Sequence, residues 1–474
     1  MPESVDGATR PVTSLVLGCV GILTAYLPVV GVPVILGEIG TATGASTAEL
    51  QWVTASGLLA LAAAVLPSGV LGHRLGRHVV LVAGLALVLL GAVVGVVAGL
   101  VPAEVALGWL YTGQVVIGLG GGALLTSTLA VVSDAATTHH RRGLYIPLWA
   151  SSLVVGSGLG PFVSGAVATF TTWGWTFLPL AVVAAGALAL AVAVAPPART
   201  PRTMRQGIDL PGQLTSAAAV TALVYTIIQA PTTGWASTPT VVSGGASVLL
   251  VAAFVAVEAR AVSPIVPLRL FRSPGFVVAA LAATSILFAI VGIAFVLTLY
   301  LSGHQHLSVL GVADRIGFLY LFAALTGPVV GYAHRYVAMS TVLVTGLAIS
   351  ALGVGLLAAV PAEAGLVALA WRLSLTGIGV GAVLSVVSSV AIHSVQSGDA
   401  GMAGATNTLF RQVGAALGPA VAGTIWTTRT TGGGPAVEGL HVSMLAIAWA
   451  LGVSAVLALL TFATSSRRAR LAGR

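Results

Sequence analysis

Four ionisable side chains stand inside long apolar stretches: Asp314, Arg315, Arg372 and Arg411. A charge at the centre of a bilayer costs at least ~3 kcal/mol on insertion scales, so such groups face a cavity or a partner. Arg372 follows Glu363 by nine residues, which is about 13 Å down a helix rising 1.5 Å per residue. Trp371 beside it offers a stacking surface. A guanidinium so placed can bind an anion, and a carboxyl near it can carry a proton. Two readings stay open. In one, Arg372 lines a cavity wall and either pairs with Asp314 or binds an anionic group of a substrate, Asp314 being a candidate proton carrier. In the other, Asp314 pairs with Arg372 or Arg315 for structure alone. Arg411, near a helix end, reads as structural. Amides and aromatics that could line the same cavity are Tyr26, Gln51, Trp52, Tyr111, Gln114, Trp149, Tyr225, Tyr300, Tyr320 and Asn407. Gln114 is the most pointed of them, because an amide inside a glycine-rich helix is hard to accommodate elsewhere.

Enzymatic chemistry finds no foothold. The sequence has no Gly-Lys-Ser/Thr phosphate loop and no HExxH, which excludes nucleotide-driven transport and metalloprotease activity. Cys19 is the single cysteine, so disulfides and cysteine-rich metal sites are out. His304 and His306 are spaced i, i+2, wrong for two ligands on one helix face, and no carboxylate cluster accompanies them. His73, His78, His139, His140 and His334 stand beside arginines in short turns and read as solvated loop residues. No cofactor is expected.

The elements that must hold these groups are membrane helices. Of 474 residues 57% are hydrophobic, and the basic residues number 20, all arginine, against 12 acids. A hydrocarbon core about 30 Å thick takes about 20 apolar residues per helix. Spans are expected near 13–36, 50–71, 79–101, 105–132, 144–168, 175–195, 210–230, 239–258, 276–301, 309–333, 336–360, 363–392, 401–426 and 441–463. The runs are continuous rather than alternating, which excludes a β-barrel.

Arginines favour every second gap: Arg10 before the first span, then Arg74 and Arg77, Arg141 and Arg142, the trio Arg199, Arg202 and Arg205, the trio Arg260, Arg269 and Arg272, Arg335, and finally Arg467, Arg468, Arg470 and Arg474. The other gaps carry Glu38 and Glu49, Glu104, Glu363 and Glu438, with Arg429 an exception. This is the positive-inside rule, and it places both termini in the cytoplasm. The net charge of +8 is dispersed over short loops without interleaved aromatics. It therefore argues for contacts with anionic lipid headgroups and against nucleic acid. The first span lacks a small-residue cleavage site and is expected to be retained rather than removed as a signal peptide.

A proline- and arginine-rich linker, 196–212, follows six spans, and the last six begin near Phe276. The arrangement is thus 6+2+6: a six-helix bundle over 1–200, two linking helices with their flanks over 201–272, and a second six-helix bundle with a short basic tail over 273–474. A weak echo relates the bundles. His73-Arg74 follows the second span and His334-Arg335 the tenth, each soon after a glycine. Repeats of this kind underlie alternating access in secondary transporters. Glycines cluster at Gly91, Gly95 and Gly99, at Gly118, Gly120, Gly121 and Gly122, and at Gly377, Gly379 and Gly381. In lipid, small residues mark faces where helices approach closely.

With that frame, the motifs resemble those of the major facilitator superfamily, in its fourteen-helix drug:proton antiporter branch. The stretch from Gly69 to Arg77, with Arg74 and Gly76, is similar to the family's Gly-x-Leu-Ala-Asp-Arg-x-Gly-Arg motif, which makes a tight turn and clamps neighbouring helix ends. Gly156-Ser157-Gly158-Leu159-Gly160-Pro161-Phe162-Val163-Ser164-Gly165 resembles the antiporter motif, whose glycines and proline let the helix bend and pack near the cavity. The block 234–258, the run from Pro264 to Phe271, and Asn407-Thr408-Leu409-Phe410-Arg411-Gln412-Val413-Gly414 also look like this branch. The resemblance implies an all-α membrane protein, monomeric, that exports a small organic drug, antibiotic or metabolite across the bacterial inner membrane by proton antiport. Arg315 and Arg372 point to an anionic cargo. Several residues depart from the family pattern. Thr24-Ala25-Tyr26 stands where the branch usually has Asp-x-Thr, His73 replaces the motif Asp, Gln114 falls on the family's span-four Arg, and Trp173-Gly174-Trp175 replaces Trp-Arg-Trp. These neutral positions leave room for a facilitator, for a carrier with other coupling, or for a transport-dead helper or sensor on the same scaffold.

Overall fold

A computed structural model describes residues 5–136, 138–194, 209–261, 264–333, 336–431 and 433–472. Arg199, Arg202, Arg205, His334, Arg335 and Arg474 lie outside them, as do the side chains of His73, His139, His140 and Arg142. The described residues form helices and turns. The chain divides into two compact units. The first comprises α1 (Val5–Val34), α2 (Leu36–Thr43), α3 (Thr47–Leu75), α4 (Arg77–Ala98), α5 (Ala103–Ala135), α6 (His139–Phe170) and α7 (Leu178–Ala193), with a 3-10 turn at Trp173–Phe177. The second comprises α8 (Leu210–Thr233), α9 (Thr238–Arg260), α10 (Pro274–Gly303), α11 (Val309–Ala333), α12 (Met339–Leu357), α13 (Leu366–His393), α14 (Ala400–Thr430) and α15 (Ala436–Ala472).

Each expected span has its helix, and the short α2 is additional. Thirteen helices are long and apolar enough to cross a membrane. The remaining long one, α14, has the length but is diluted by Asn407, Arg411, Gln412 and a run of threonines. Two expectations need correction. The stretch from Gly69 to Arg77 is not a loop: Gly69 and Arg74 belong to α3, and the break is Gly76 alone, at φ 105°. That left-handed angle is one only glycine adopts without strain. The basic tail is helical as well, because α15 continues to Ala472.

Burial patterns give each helix its place. In α4 the buried positions Leu81, Gly84, Leu85, Val88, Gly91, Ala92, Gly95 and Ala98 recur at three- and four-residue steps, one stripe of a 3.6-residue period. α10 is apolar on every side and enclosed, whereas α9 is equally apolar but exposes Val248 and Leu249 at 69% and 71%. An apolar side chain without protein neighbours is stable only against lipid, so α9 is a peripheral helix. α8 joins α9 to its own unit through Thr424 of α14, whose Oγ1 donates to the carbonyl of Ile227 at 2.7 Å.

What binds the helices is backbone contact at glycine. A Cβ on Gly118 of α5 would lie 2.1 Å from the carbonyl oxygen of Gly57 in α3, and one on Gly122 would lie 2.5 Å from that of Leu61. The second unit repeats this: Gly377 and Gly381 of α13 would each put a Cβ 2.3 Å from a carbonyl of α11, those of Leu319 and Ala323. Likewise Gly84 meets Gly120 between α4 and α5, and Gly346 meets Gly379 between α12 and α13. The crossing of α1 with α6 uses Gly156 against Leu23 and Gly160 against Leu27 and Gly31; that of α10 with α14 uses Gly414 against Thr284 and Gly418 against Phe288 and Gly292. Side by side, Gly156-x-x-Leu159-Gly160-Pro161-x-Val163-x-Gly165 and Gly414-x-x-Leu417-Gly418-Pro419-x-Val421-x-Gly423 are one pattern. Overpacking of this kind costs about 1–3 kcal/mol. Gly414→Ala, whose Cβ would meet Thr284 O at 2.0 Å, is expected to destabilise by at least that much, whereas Gly245→Ala, with open space around it, is neutral. Thermal unfolding of the two variants in the same detergent measures the difference.

Candidate functional site

In the first unit, α1, α3 and α5 border a small, half-open recess. Its lining reads as three helical stripes. Ala25, Pro28, Val29, Val32 and Pro33 come from α1, Thr54, Gly57, Leu58 and Leu61 from α3, and Gln114, Ile117 and Gly118 from α5. Steps of three and four residues keep each set on one helix face. The glycine contacts set the width, since Gly57 and Gly118 bring α3 and α5 together directly beneath the amide of Gln114.

Two polar groups in this apolar lining lack partners. Thr54 and Gln114 are each only 5% exposed, and neither Thr54 Oγ1 nor Gln114 Nε2 makes a hydrogen bond. A buried polar atom without a partner costs about 1–3 kcal/mol. In a natural sequence such a group marks a place where another molecule, water included, completes it. The lining carries no charge. Thr24 turns its hydroxyl back to the carbonyl of Gly21 at 2.7 Å, and Tyr26, one residue beyond Ala25, is buried.

The α3–α5 frame is pinned at both ends. Ser46 and Glu49 form a capping box at the start of α3, and Tyr111 of α5 donates to the Glu49 carbonyl at 3.1 Å. At the other end Arg77, the first residue of α4, reaches across to α5. Its guanidinium pairs with the carboxylate of Asp134 and donates to the Ala130 carbonyl at 3.2 Å. Trp149 of α6 adds a bond to Thr128 Oγ1 at 3.0 Å.

The second unit arranges its expected site residues differently. Asp314 and Arg372 do not pair, nor do Asp314 and Arg315. The ion pairs of the structure include Arg77–Asp134, Arg269–Asp399 and Arg429–Glu438. Asp314 is exposed. α13 begins only at Leu366, so Arg372 lies about 9 Å into the helix at 1.5 Å per residue, shallower than its distance from Glu363 implies. Its guanidinium turns back toward the helix start, donating to Leu356 O at 3.0 Å and Ala368 O at 2.6 Å, and stacks 4.4 Å from the centroid of Trp371. Arg315 makes the same retreat onto Gly311 O at 2.8 Å, although its Nε stays unpartnered, as does that of Arg411. Carbonyls of their own neighbourhood accept from Arg315 and Arg372. Asn407 is fully buried and bridges three helices: Nδ2 donates to Ala279 O of α10 at 3.1 Å, and Oδ1 accepts from Ser388 of α13 at 3.4 Å. Arg429, the exception to the arginine pattern, is paired with Glu438 at 3.2 Å.

Helices long and apolar enough to cross a membrane, repeated thirteen times among the described residues, make this a multi-pass membrane protein. Residues 18–419 match the Major Facilitator Superfamily, and the chain belongs to that family. Among its relatives is the multidrug resistance protein Stp of Mycobacterium tuberculosis, 28% identical over 89% of this chain and 77% of the relative. The cephamycin export protein CmcT of Amycolatopsis lactamdurans is 31% identical over 92% and 91%, and the multidrug efflux pump LfrA of Mycolicibacterium smegmatis 28% over 79% and 73%.

Sequence reading singled out Gln114 but not Thr54. Thr54, Gly57, Leu58 and Leu61 are spaced as one helix face, but a lone hydroxyl there ordinarily bonds its own backbone and gives no signal. If the two polar groups are held for a ligand rather than for the fold, removing them relieves strain. Thr54→Val and Gln114→Leu are each expected to stabilise the ligand-free protein by about 1 kcal/mol, read as a rise in its thermal unfolding midpoint.

Proposed function

We propose that this protein is a secondary active exporter of small organic compounds, working by alternating access with both termini in the cytoplasm. The observation that carries this reading is the recess of the first unit, where Thr54 Oγ1 and Gln114 Nε2 wait unpartnered in an apolar wall. An apolar lining with a few convergent polar groups is how small-molecule sites combine affinity with orientation. Relatives named for multidrug efflux and antibiotic export support the direction of transport. Because the lining is neutral, the cargo is a neutral, hydrogen-bonding compound rather than an anion. Gly76 and Arg77, with the α1–α6 crossing at Gly156, Gly160, Pro161 and Gly165, serve the conformational cycle.

Proton antiport is the proposed energy source, in line with the family branch. The neutral Thr24 and the uncharged recess favour a second reading, facilitated diffusion or coupling to another ion. Proteoliposomes decide between them. Efflux of a dye substrate is expected to accelerate under an imposed pH gradient, and a rate indifferent to the gradient rejects proton coupling. In the same assay Gln114→Leu is expected to lower transport about tenfold, the value of one lost hydrogen bond of about 1.4 kcal/mol. Arg372→Gln is expected to retain it.

A further inference from the structure

At the start of α8 and the end of α9, two carboxylates face each other. Asp209 precedes α8 and caps it, with Oδ1 accepting from the Gly212 amide at 2.9 Å. Glu258 lies in the last turn of α9 and is only 3% exposed. Its Oε2 accepts from the Val266 amide at 3.2 Å, holding the segment that leads from α9 into α10. Each acid therefore uses one oxygen on a backbone N–H. The other oxygens, Asp209 Oδ2 and Glu258 Oε1, are buried and have no partner. They also converge. A Cβ built on Gly212 would stand 2.7 Å from Asp209 Oδ2 and 2.8 Å from Glu258 Oε1, so one point in space touches both.

Two ionised carboxylates cannot remain this close in a dry setting, because like charges there repel strongly. Something positive must lie between them. Among the described residues, arginine does not supply it. Arg260 and Arg272 are exposed, Arg269 is engaged with Asp399 at 2.5 Å, and none of them pairs with either acid. α8 itself carries no charged residue, and on α14, which packs against it, Arg429 is engaged with Glu438. Arg411 stands eleven residues into α14. A metal ion fits poorly, since no third acid, histidine or cysteine joins the group among the described residues and the nearest backbone groups are N–H donors rather than carbonyls. The smallest cation fits.

We propose that Asp209 and Glu258 form a proton-binding site, with one proton held between Oδ2 and Oε1 at neutral pH, locking the linking helices α8 and α9 to the 264–267 segment. With the proton in place, both orphaned oxygens are satisfied in a single O–H···O bond. Without it the pair repels, and the end of α9 is pushed from the start of α8. Gly212 is the third component, because any side chain there would occupy the space the two oxygens share. The site does not depend on the export reading, since it lies outside the recess and its test needs no substrate.

Infrared difference spectroscopy of the purified full-length protein in lipid provides that test. The wild type is expected to show a protonated carboxyl C=O band at neutral pH that disappears at alkaline pH. Asp209→Asn and Glu258→Gln, nearly isosteric, each place an amide donor against the surviving carboxylate and are expected to lose the band. Loss in both, with the wild-type band present, supports a shared proton. Persistence in either variant assigns the proton to a single residue and overturns the proposal, as does absence of the band from the wild type at neutral pH. A band absent from the wild type, together with an unfolding midpoint that rises with sodium or potassium chloride, would identify a metal cation as the occupant instead. Should an amide variant fail to fold, Gly212→Ala keeps both acids and wedges them apart; an unchanged band there also counts against the site. The double variant Arg202→Gln/Arg205→Gln, altering charges that precede Asp209 outside the described residues, is expected to keep the band, and its loss would make those arginines part of the site and overturn the two-carboxyl assignment.

Discussion

Contact between helix backbones through glycine is the constraint on which the rest of this structure depends. Lipid tails are as apolar as leucine, so burying leucine between two membrane helices gains little over leaving it in the bilayer. Association has to come from close packing, and packing is closest where no side chain intervenes. Gly118 against Gly57, Gly160 against Gly31, Gly377 against Leu319 and Gly418 against Gly292 are such places. With the 59 glycines of the chain, the backbone becomes the packing surface at the crossings, and apolar side chains on the outer faces are left to the lipid. Leu249, Trp449 and Val367 are more than 70% exposed, which in water would be a fault and in lipid is the stable choice.

The same constraint creates the recess. Two helices drawn together at one glycine contact diverge on either side of it. The proline-containing α1, with Pro28 and Pro33, cannot follow α3 and α5 smoothly, because a proline inside a helix deletes a backbone bond and bends the axis. The gap beside Gly57 and Gly118 is therefore a consequence of tight packing next to it. Placing an amide and a hydroxyl in that gap costs stability, and a protein retains such a cost where ligand binding needs it.

Much of this was legible from the amino-acid order. Each of the fourteen long helices announced itself through its length and apolar character. Length and hydropathy are local properties, which is why they survive without a structure. Gln114 was legible because an amide contradicts its surroundings. Thr54 was not, since a threonine in a membrane helix ordinarily bonds its own backbone, as Thr128 does with Leu124, and only the fold shows that this one does not. Arg372 shows where counting along the sequence falls short. Its depth was counted from Glu363, but the helix starts later, and a long side chain bends back along its own helix. The repeat between the two units shows the same limit. The His-Arg echo is a weak mark, whereas Gly156–Gly165 and Gly414–Gly423 are strong ones that become visible once both are seen lying against equivalent helices.

Charge placement completes the picture. In a low-dielectric setting a guanidinium needs acceptors, and Arg77, Arg315 and Arg372 each take carbonyl oxygens exposed near helix ends. Of these, Leu356 O lies in the last turn of α12, where carbonyls have no partner within the helix and carry its partial negative charge. Such arginines act as pins for helix termini, with the acids Asp134, Asp399 and Glu438 added where the ends are wetter. The recess of the first unit is lined without charge, so on the proposed export reading cargo is selected there by shape and by hydrogen bonds at Thr54 and Gln114.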